Sequence, residues 1–161
     1  MSKVENQYVT FELDDQSYGV NVSEVVEVIR MVGMSESPEA VPYVVGLMNI
    51  RGHVVPVVDM RARLNLGTAK YTLATPILVA RSNDASIGLV VDRVLEVKTF
   101  EDKAIEKPNQ KFSRSHCVTG VAKLDAKLIF LLNLSGIFSV DEAQLLEEFA
   151  TIHAPGEKAL A

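Results

Sequence analysis

Hydrophobic and polar positions alternate with a period of two in several short segments of the chain, which is the pattern of half-buried β-strands. The first segment covers residues 8–13, and a return strand is predicted at residues 18–22 after a polar turn. A second pair of apolar runs, residues 76–80 and 87–91, flanks another polar turn. The pattern therefore predicts a mainly β chain that is built from hairpins.

These segments belong to an internal repeat. When Gly88 is placed on Gly19, the valine-rich segments that follow also align, and Gly120 then corresponds to Gly46. The paired glycines are 27 residues apart in the first copy (19 to 46) and 32 apart in the second (88 to 120), so a five-residue insertion is expected within residues 103–115. Each copy is too small to bury both faces of its strands, which predicts two small barrels packed together.

The whole chain is expected to form one domain. Its expected parts are a first subdomain at about residues 8–67, a second at about 72–138, a C-terminal helix at about 139–150 and a frayed tail at 151–161. The seam between the subdomains has no Gly/Ser-rich or Pro-rich run, so we do not expect a flexible linker there.

Helix starts are predicted from side chains that can accept hydrogen bonds from the first free N–H groups of a helix. Ser23, and Asp92 at the same place in the second copy, are expected to cap a short helix that leads into a strand. Asp59 is expected to cap another short helix. Ser139 and Glu142 have the spacing of a capping box, which predicts the start of the C-terminal helix.

Residues 46–60 contain the clearest local signal, two apolar runs that are separated by Arg51 and Gly52. A two-residue break with glycine between such runs predicts a tight hairpin, since a central position of the turn needs a positive φ. Arg51 is therefore expected at an exposed tip, where its planar cation can donate to a partner. Pro56 cannot donate to a ladder, so an edge, a bulge or a strand end is expected there.

The composition bounds the class of protein. The 161 residues are 48% hydrophobic and 23% charged, which fits a globular protein with a substantial core. The net charge of −5 argues against nucleic-acid binding, which needs a clustered basic surface. No apolar run is long enough for direct membrane insertion, and the start has no signal-peptide pattern. The single cysteine, Cys117, fits a reducing compartment, so a cytoplasmic location is expected.

Few residues suggest catalysis or ligand binding, and neither a cofactor nor a metal ion is expected. The histidines lie far apart and lack metal-ligand spacing: His53, His116 and His153. Capping explains Asp59 and Asp92, and burial as a small hydrophobic residue explains Cys117. Two alternatives from other classes are a small β-barrel enzyme with Asp59, Asp92 or Cys117 in the cleft between its barrels, and an OB-like nucleic-acid binder.

Several apolar side chains are candidates for an outward-facing surface: Val25, Val28, Met31, Met34, Met48 and Val54. Apolar patches on a soluble acidic protein usually mark contacts with partners, and flexible methionine side chains suit such contacts. A groove of this kind, with Arg51 and Glu27 at its rim, would fit an amphipathic helical partner.

The same central segment carries a resemblance to a known family. The run Gly-Leu-Met-Asn-Ile-Arg-Gly from Gly46, followed by Val-Val-Pro-Val-Val-Asp-Met-Arg from Val54, resembles the central signature of the CheW family. Members of this family are adaptors that couple bacterial chemoreceptors to the histidine kinase CheA, and the similarity extends over about residues 9–146. The resemblance implies a mainly β fold of two intertwined five-stranded SH3-like barrels, with short helices and a C-terminal helix.

The resemblance also implies which positions meet partners. The receptor-binding positions that it implies are Val25, Glu27, Gly46, Arg51, Val94 and Val97. Gly52 and Met48 are the positions implied for the kinase-binding face. The implied partners are the cytoplasmic tip of a methyl-accepting chemotaxis receptor and the regulatory domain of CheA, which would recruit the adaptor to membrane-associated receptor arrays. The alternative within the family is a scaffold in another chemosensory pathway, such as type-IV pilus control.

Overall fold

The computed structural model describes residues 6–31, 33–34, 41–67, 70–82, 85–107 and 117–152. The strands in these residues are β1 (Gln7–Leu13), β2 (Gln16–Asn21), β3 (Val25–Arg30), β4 (Val44–Ile50), β5 (His53–Asp59), β6 (Pro76–Ser82), β7 (Ala85–Val90), β8 (Arg93–Thr99), β9 (Ile105–Glu106), β10 (Val118–Leu124) and β11 (Lys127–Leu132). The described α-helices are α1 (Met60–Arg63), which follows β5, and α2 (Val140–Ile152). The prediction of a mainly β chain with short helices and a C-terminal helix is confirmed.

The strands form two sheets of similar order. The six-stranded sheet has the order β8-β1-β2-β11-β10-β9, and the five-stranded sheet has the order β3-β6-β7-β5-β4. Matching β1 with β6, β2 with β7, β3 with β8, β4 with β10 and β5 with β11 converts one order into the other, apart from β9. The internal repeat is therefore confirmed. The extra strand β9 lies within the segment where the insertion was expected, and residues 108–115 of that segment lie outside the described part of the chain.

Each sheet takes strands from both copies of the repeat. β3 pairs with β6 and β8 pairs with β1, so each copy adds its third strand to the first hairpin of the other copy. The parallel pairs β5–β7 and β11–β2 also join strands from different copies. The break in the sequence near residues 67–72 therefore separates the two repeats and not the two sheets. This exchange of strands makes the two halves of the chain intertwined.

Three apolar clusters stabilise this arrangement. The central cluster combines side chains from both sheets, including Phe11 and Leu78. A second cluster, with Val57 and Ile77, lies on the other face of the five-stranded sheet, and a third, with Ile129, lies on the other face of the six-stranded sheet. Each sheet therefore has the central cluster on one face and its own cluster on the other, as expected for two small barrels. Full burial of each large aliphatic side chain contributes about 1.5–3 kcal/mol.

The helix predicted after Ser23 is wrong. Val22–Glu24 forms a single 3₁₀ turn, and Asn21 caps it by accepting a hydrogen bond from the Ser23 N–H group at 3.0 Å. β3 begins at the next residue, Val25. The β-branched residues of this segment favour a pleated strand, and pairing with β6 satisfies their backbone groups.

The cap predicted at Asp92 is also wrong, because β8 starts at the following residue. Asp92 instead accepts hydrogen bonds from Arg61 Nε at 2.8 Å, from Arg61 Nη2 and from the N–H group of Asp14 at 2.8 Å. These bonds fix α1 and the β1–β2 turn to the junction of β7 and β8. The Arg61 guanidinium, against some desolvation, holds the pKa of the Asp92 carboxyl below its ordinary value.

The other two capping predictions are confirmed. Asp59 Oδ1 accepts a hydrogen bond from the Arg61 N–H group at 3.0 Å, at the start of α1. Ser139 Oγ accepts from the Glu142 N–H group at 3.1 Å, while Glu142 Oε1 accepts from the Ser139 N–H group at 2.9 Å. This reciprocal pair is the capping box of α2. The helix continues through Ile152, and the remainder of the expected tail lies outside the described residues.

Replacement of Arg61 by methionine tests the link between α1 and the β7–β8 junction. We expect Arg61→Met to lower the free energy of unfolding by about 1 kcal/mol at neutral pH, because a largely buried carboxylate loses its charge-assisted partner. Since the folded pKa of Asp92 is depressed, the contribution is present above about pH 4 and disappears as the pH falls through that folded pKa. Urea unfolding from pH 7 to pH 3 measures this.

The control for this experiment is Lys103→Met, which removes one side of an exposed ion pair with Glu101. We expect little change from it at any pH, because exposed pairs are screened by solvent. An equal loss in both variants, or a loss in Arg61→Met that persists unchanged in acid, would contradict the assignment.

The capping box of α2 also fastens the helix to the rest of the molecule. The Tyr43 hydroxyl donates to Glu142 Oε1 at 2.5 Å, so one carboxylate serves both the cap and the contact with Tyr43. We expect Glu142→Ala to reduce the free energy of unfolding by about 1–2 kcal/mol. Glu148→Ala, which removes the same side chain at an exposed position of α2, should change it little. Chemical denaturation of both variants decides the question, and equal effects would show that Glu142 has no special role.

Candidate partner-binding groove

A β-bulge in β3 decides which of its side chains face the other sheet. Val25 lies opposite Ala80 and Val28 lies opposite Leu78, so the strand accommodates one extra residue, Val26. Ala80 and Leu78 belong to the central cluster. Because residues that lie opposite each other in a sheet share a face, Val25 and Val28 both face the space between the sheets, although they are three residues apart.

The second copy repeats this arrangement in β8. Val94 lies opposite Phe11 and Val97 lies opposite Val9, with the register shifted between the two pairs. Phe11 and Val9 also belong to the central cluster. Val94 and Val97 therefore share the face toward the other sheet, as Val25 and Val28 do in β3.

We call the four residues Val25, Val28, Val94 and Val97 the valine groove. Val25 and Val94 pack against the central cluster, whereas Val28 is 48% exposed and Val97 is 54% exposed. β3 and β8 are each the terminal strand of a sheet, and β8 also contacts β6, the pairing partner of β3. The four valines therefore lie on strands at the junction of the two sheets. Sequence reasoning named Val25, Val94 and Val97 as receptor-binding positions and Val28 only as a candidate surface residue, because a bulge leaves no mark in the residue pattern.

Arg51 and Glu27 meet beside β3, where Glu27 directly precedes Val28 but lies opposite Val79, on the other face of the strand from Val25 and Val28. Arg51 Nη1 donates to Glu27 Oε2, which joins the β4–β5 turn to β3. Since β4 and β3 are the two ends of the five-stranded sheet, this ion pair links its two terminal strands. The Arg51 side chain is still 71% exposed, so its remaining donors can reach a partner. The structure thus brings together two predicted site residues that are far apart in the sequence.

The turn that presents Arg51 has the geometry expected from the sequence. Ile50 lies opposite His53, and the two central residues both have positive φ, 50° at Arg51 and 85° at Gly52. Gly52 adopts this conformation without a steric penalty, and its N–H group donates to Asn49 Oδ1 at 2.9 Å. Gly52 is exposed, so it shapes the hairpin and lies at the surface.

Two of the implied site positions are not at the surface. Gly46 is buried next to a register shift in β4. The expectation that Met48 faces outward is wrong: its side chain is only 3% exposed, and it fills the five-stranded barrel so closely that a Cβ added at Gly88 would lie 2.9 Å from its Cε. Met31 and Met34 also pack against the cluster of this barrel. The apolar groove is therefore made of valines and not of methionines.

The side chains considered for catalysis have structural partners. Asp59 is buried, caps α1 and accepts a hydrogen bond from the Tyr71 hydroxyl at 2.5 Å. Asp92 is held by Arg61. Cys117 is fully buried, as expected, and burial raises the pKa of its thiol to about 11. A thiol with this pKa is protonated at neutral pH, so it is a poor nucleophile.

The described residues contain no group of three or more histidine, cysteine, aspartate or glutamate side chains that could hold a metal ion. His53 is exposed on β5, and the other two histidines lie outside the described residues. Within the described part of the chain, no helix has the length and apolar character that crossing a membrane requires.

Comparison with known proteins agrees with this architecture. A family model described as "CheW-like domain" matches residues 7–142. The chemotaxis protein CheW of Rhizobium meliloti (strain 1021) is 32% identical over 141 residues, which cover 86% of this chain and 90% of that protein. The chemotaxis protein CheW of Helicobacter pylori (strain ATCC 700392 / 26695) is 28% identical over 136 residues, which cover 84% of this chain and 82% of that protein.

A solved structure shows the same fold. The crystal structure of scaffolding protein TtCheW from Thermoanaerobacter tengcongensis matches with a TM-score of 0.78 and 30% sequence identity, covering 88% of this chain and 96% of that chain. The family match spans both copies of the repeat and includes all four residues of the valine groove, together with Arg51 and Glu27. The chain therefore belongs to the CheW-like family.

Proposed function

We propose that this chain is a non-catalytic adaptor of a chemotaxis signalling array, which binds a chemoreceptor tip in the valine groove and the regulatory domain of the histidine kinase CheA at a second face. The observation that carries the proposal is the pair of half-exposed valines, Val28 and Val97, on terminal strands of the two sheets, with the Arg51–Glu27 ion pair held on the same strand as Val28. Family membership and the CheW names of its relatives support the chemotaxis role.

The groove suits a helical partner. An amphipathic helix presents apolar side chains at spacings of three and four residues on one face, and these can pack between Val28 and Val97. The cationic Arg51 beside β3 can bind a carboxylate or the free carbonyl groups at a helix end, which fixes the direction and register of the bound helix. A chemoreceptor tip, as a helical hairpin, supplies such a surface.

The kinase-binding face is proposed on the five-stranded barrel, around the hairpin that Gly52 shapes. Because Met48 is buried in this barrel, we assign it to the support of the hairpin and not to contact with the kinase. An adaptor with two faces on one rigid fold couples its partners through geometry, since movement of one partner changes the position of the other. The protein would act in the cytoplasm, at receptor arrays.

The second candidate is a scaffold in another chemosensory pathway, such as type-IV pilus control, which would use the same groove for a different receptor. A small β-barrel enzyme is less well supported, because the carboxylates and the thiol that it would need are engaged in structural contacts. The experiment that tests the proposal is a titration of the purified protein with a CheA regulatory domain, followed by a receptor-tip fragment from the same organism. Binding of both supports the adaptor, and binding of neither overturns it.

Arg51→Ala separates binding from folding. Because the Arg51–Glu27 pair is exposed on the arginine side, we expect the free energy of unfolding to change by no more than about 0.5 kcal/mol. Loss of a charge-assisted contact should weaken receptor-tip binding by about tenfold or more. Calorimetric titration with each partner and a thermal melt measure these effects, and binding to the kinase domain should be retained.

The matched control is Asp125→Ala. Asp125 has a φ of 55° in the β10–β11 turn and is therefore the counterpart of Arg51 in the second copy. This variant makes the same change of turn residue in the other barrel and should bind the receptor tip normally. A large fall in melting temperature for Arg51→Ala, or equal loss of binding in both variants, would contradict the proposed site.

The apolar part of the groove is tested by Val28→Ser and Val97→Ser. Since both side chains are about half exposed, each change should alter stability by less than about 0.5 kcal/mol. Each should weaken receptor-tip binding by about five- to tenfold, because burial of a valine contributes about 1–1.5 kcal/mol to an interface. Val140→Ser, at an 84% exposed position on α2, is the control and should have no effect. Wild-type affinity in both groove variants would exclude the groove as the binding site.

A further inference from the structure

We infer that Thr10 is the positioning residue for the second half of the valine groove: its hydroxyl holds the bulge of β8 in the register that turns Val97 toward the groove. The consequence of this positioning for receptor-tip binding rests on the proposed function. The positioning itself is a property of the free protein and can be tested without a partner.

The hydroxyl of Thr10 has two hydrogen bonds to one residue of the bulge. Thr10 Oγ1 donates to the carbonyl oxygen of Glu96 at 2.6 Å and accepts from the N–H group of Glu96 at 3.2 Å. Thr10 itself is 1% exposed, in a part of the fold where water cannot replace it. A polar side chain that is buried so completely requires such partners.

These bonds occupy the place of a missing pair in the β1–β8 ladder. The backbone pairs pass from Val9–Val97 directly to Phe11–Val94, and Thr10 lies between them. The Thr10 side chain therefore satisfies the N–H and C=O groups of Glu96 that a regular ladder would have satisfied through the backbone. It stabilises the bulged register against a regular one.

The register decides the direction of the groove residues. In a regular strand, Val94 would share a face with Glu96, and Val97 would point to the opposite face with Leu95. The bulge moves Val97 to the face of Val94, opposite Val9 of the central cluster. The hydroxyl thus stabilises the register in which the second copy contributes two valines to the groove.

The first copy reaches the same register without a hydroxyl. The residue in the place of Thr10 is Val79, and it forms a backbone ladder pair with Glu27, the counterpart of Glu96. The Glu27 side chain is also held by Arg51. The two halves of the groove are therefore fixed by different contacts, so removal of the Thr10 hydroxyl should disturb the second copy alone.

The test is Thr10→Val, which removes the hydroxyl and keeps the shape and strand preference of the side chain. In the free protein, we expect the Glu96 amide to exchange with solvent about tenfold faster or more. We also expect the nuclear Overhauser contacts between the Val97 and Val9 methyl groups to weaken, with contacts between Val28 and Leu78 unchanged.

Thr10→Ser and Thr10→Ala form the matched pair for this test. Both lose the methyl group, and only serine keeps the hydroxyl, so serine should restore slow exchange at Glu96 and alanine should not. If valine at this position prevents folding, the serine–alanine comparison in the folded fraction still decides the matter. Equal exchange in these two variants, or unchanged Val97–Val9 contacts in every variant without the hydroxyl, would overturn the inference.

Binding gives the functional readout. The affinity for the receptor-tip fragment should fall by about five- to tenfold in Thr10→Val, as for direct loss of Val97, and recover in Thr10→Ser. Binding to the CheA regulatory domain should be unchanged, which a general loss of structure would not allow. If the wild-type protein does not bind the receptor tip, the proposed function fails, while the exchange and methyl-contact measurements still support or overturn the role of Thr10.

Discussion

The exchange of strands between the two copies of the repeat is the constraint on which the rest of this structure depends. β3 pairs with the β6–β7 hairpin of the second copy, and β8 pairs with the β1–β2 hairpin of the first. Because neither copy can satisfy its backbone groups alone, the two sheets form together, with the central cluster between them. The terminal strands of both sheets are thereby brought to one junction. The candidate groove is a direct consequence of this exchange.

The two barrels share a topology but differ in the contacts at the edges of their sheets. In the five-stranded barrel, Arg51 in the turn meets Glu27 on the terminal strand. The equivalent positions of the other barrel hold Asp125 and Glu96, two carboxylates that cannot attract each other. There β9 adds to the sheet edge beside β10, with an ion pair between Lys123 and Glu106 on the added strand at 2.9 Å. The Arg51–Glu27 ion pair of the five-stranded barrel therefore has no counterpart between Asp125 and Glu96.

The features of this protein that depend on a few neighbouring residues could be read from the sequence. The hairpin around Gly52, the cap at Asp59 and the capping box at Ser139 involve groups within three residues of one another, so their geometry follows from local chemistry. The repeat was also visible, since matching glycines and valine runs recur at similar spacing. The central signature identified the family, and with it the position of Arg51.

Only the tertiary structure decided the features that depend on contacts between distant segments. Pairing with β6 made a strand of the segment after Ser23, and the partner Arg61 gave Asp92 a role other than capping. The same holds for the burial of Met48 and for the bulge that turns Val28 into the groove. Alternation along one strand cannot reveal these outcomes, because a bulge reverses the faces of all later residues and its position is set by the neighbouring strand. The sequence by itself thus determined the local turns, caps and family of this protein, whereas strand exchange and register determined its surface.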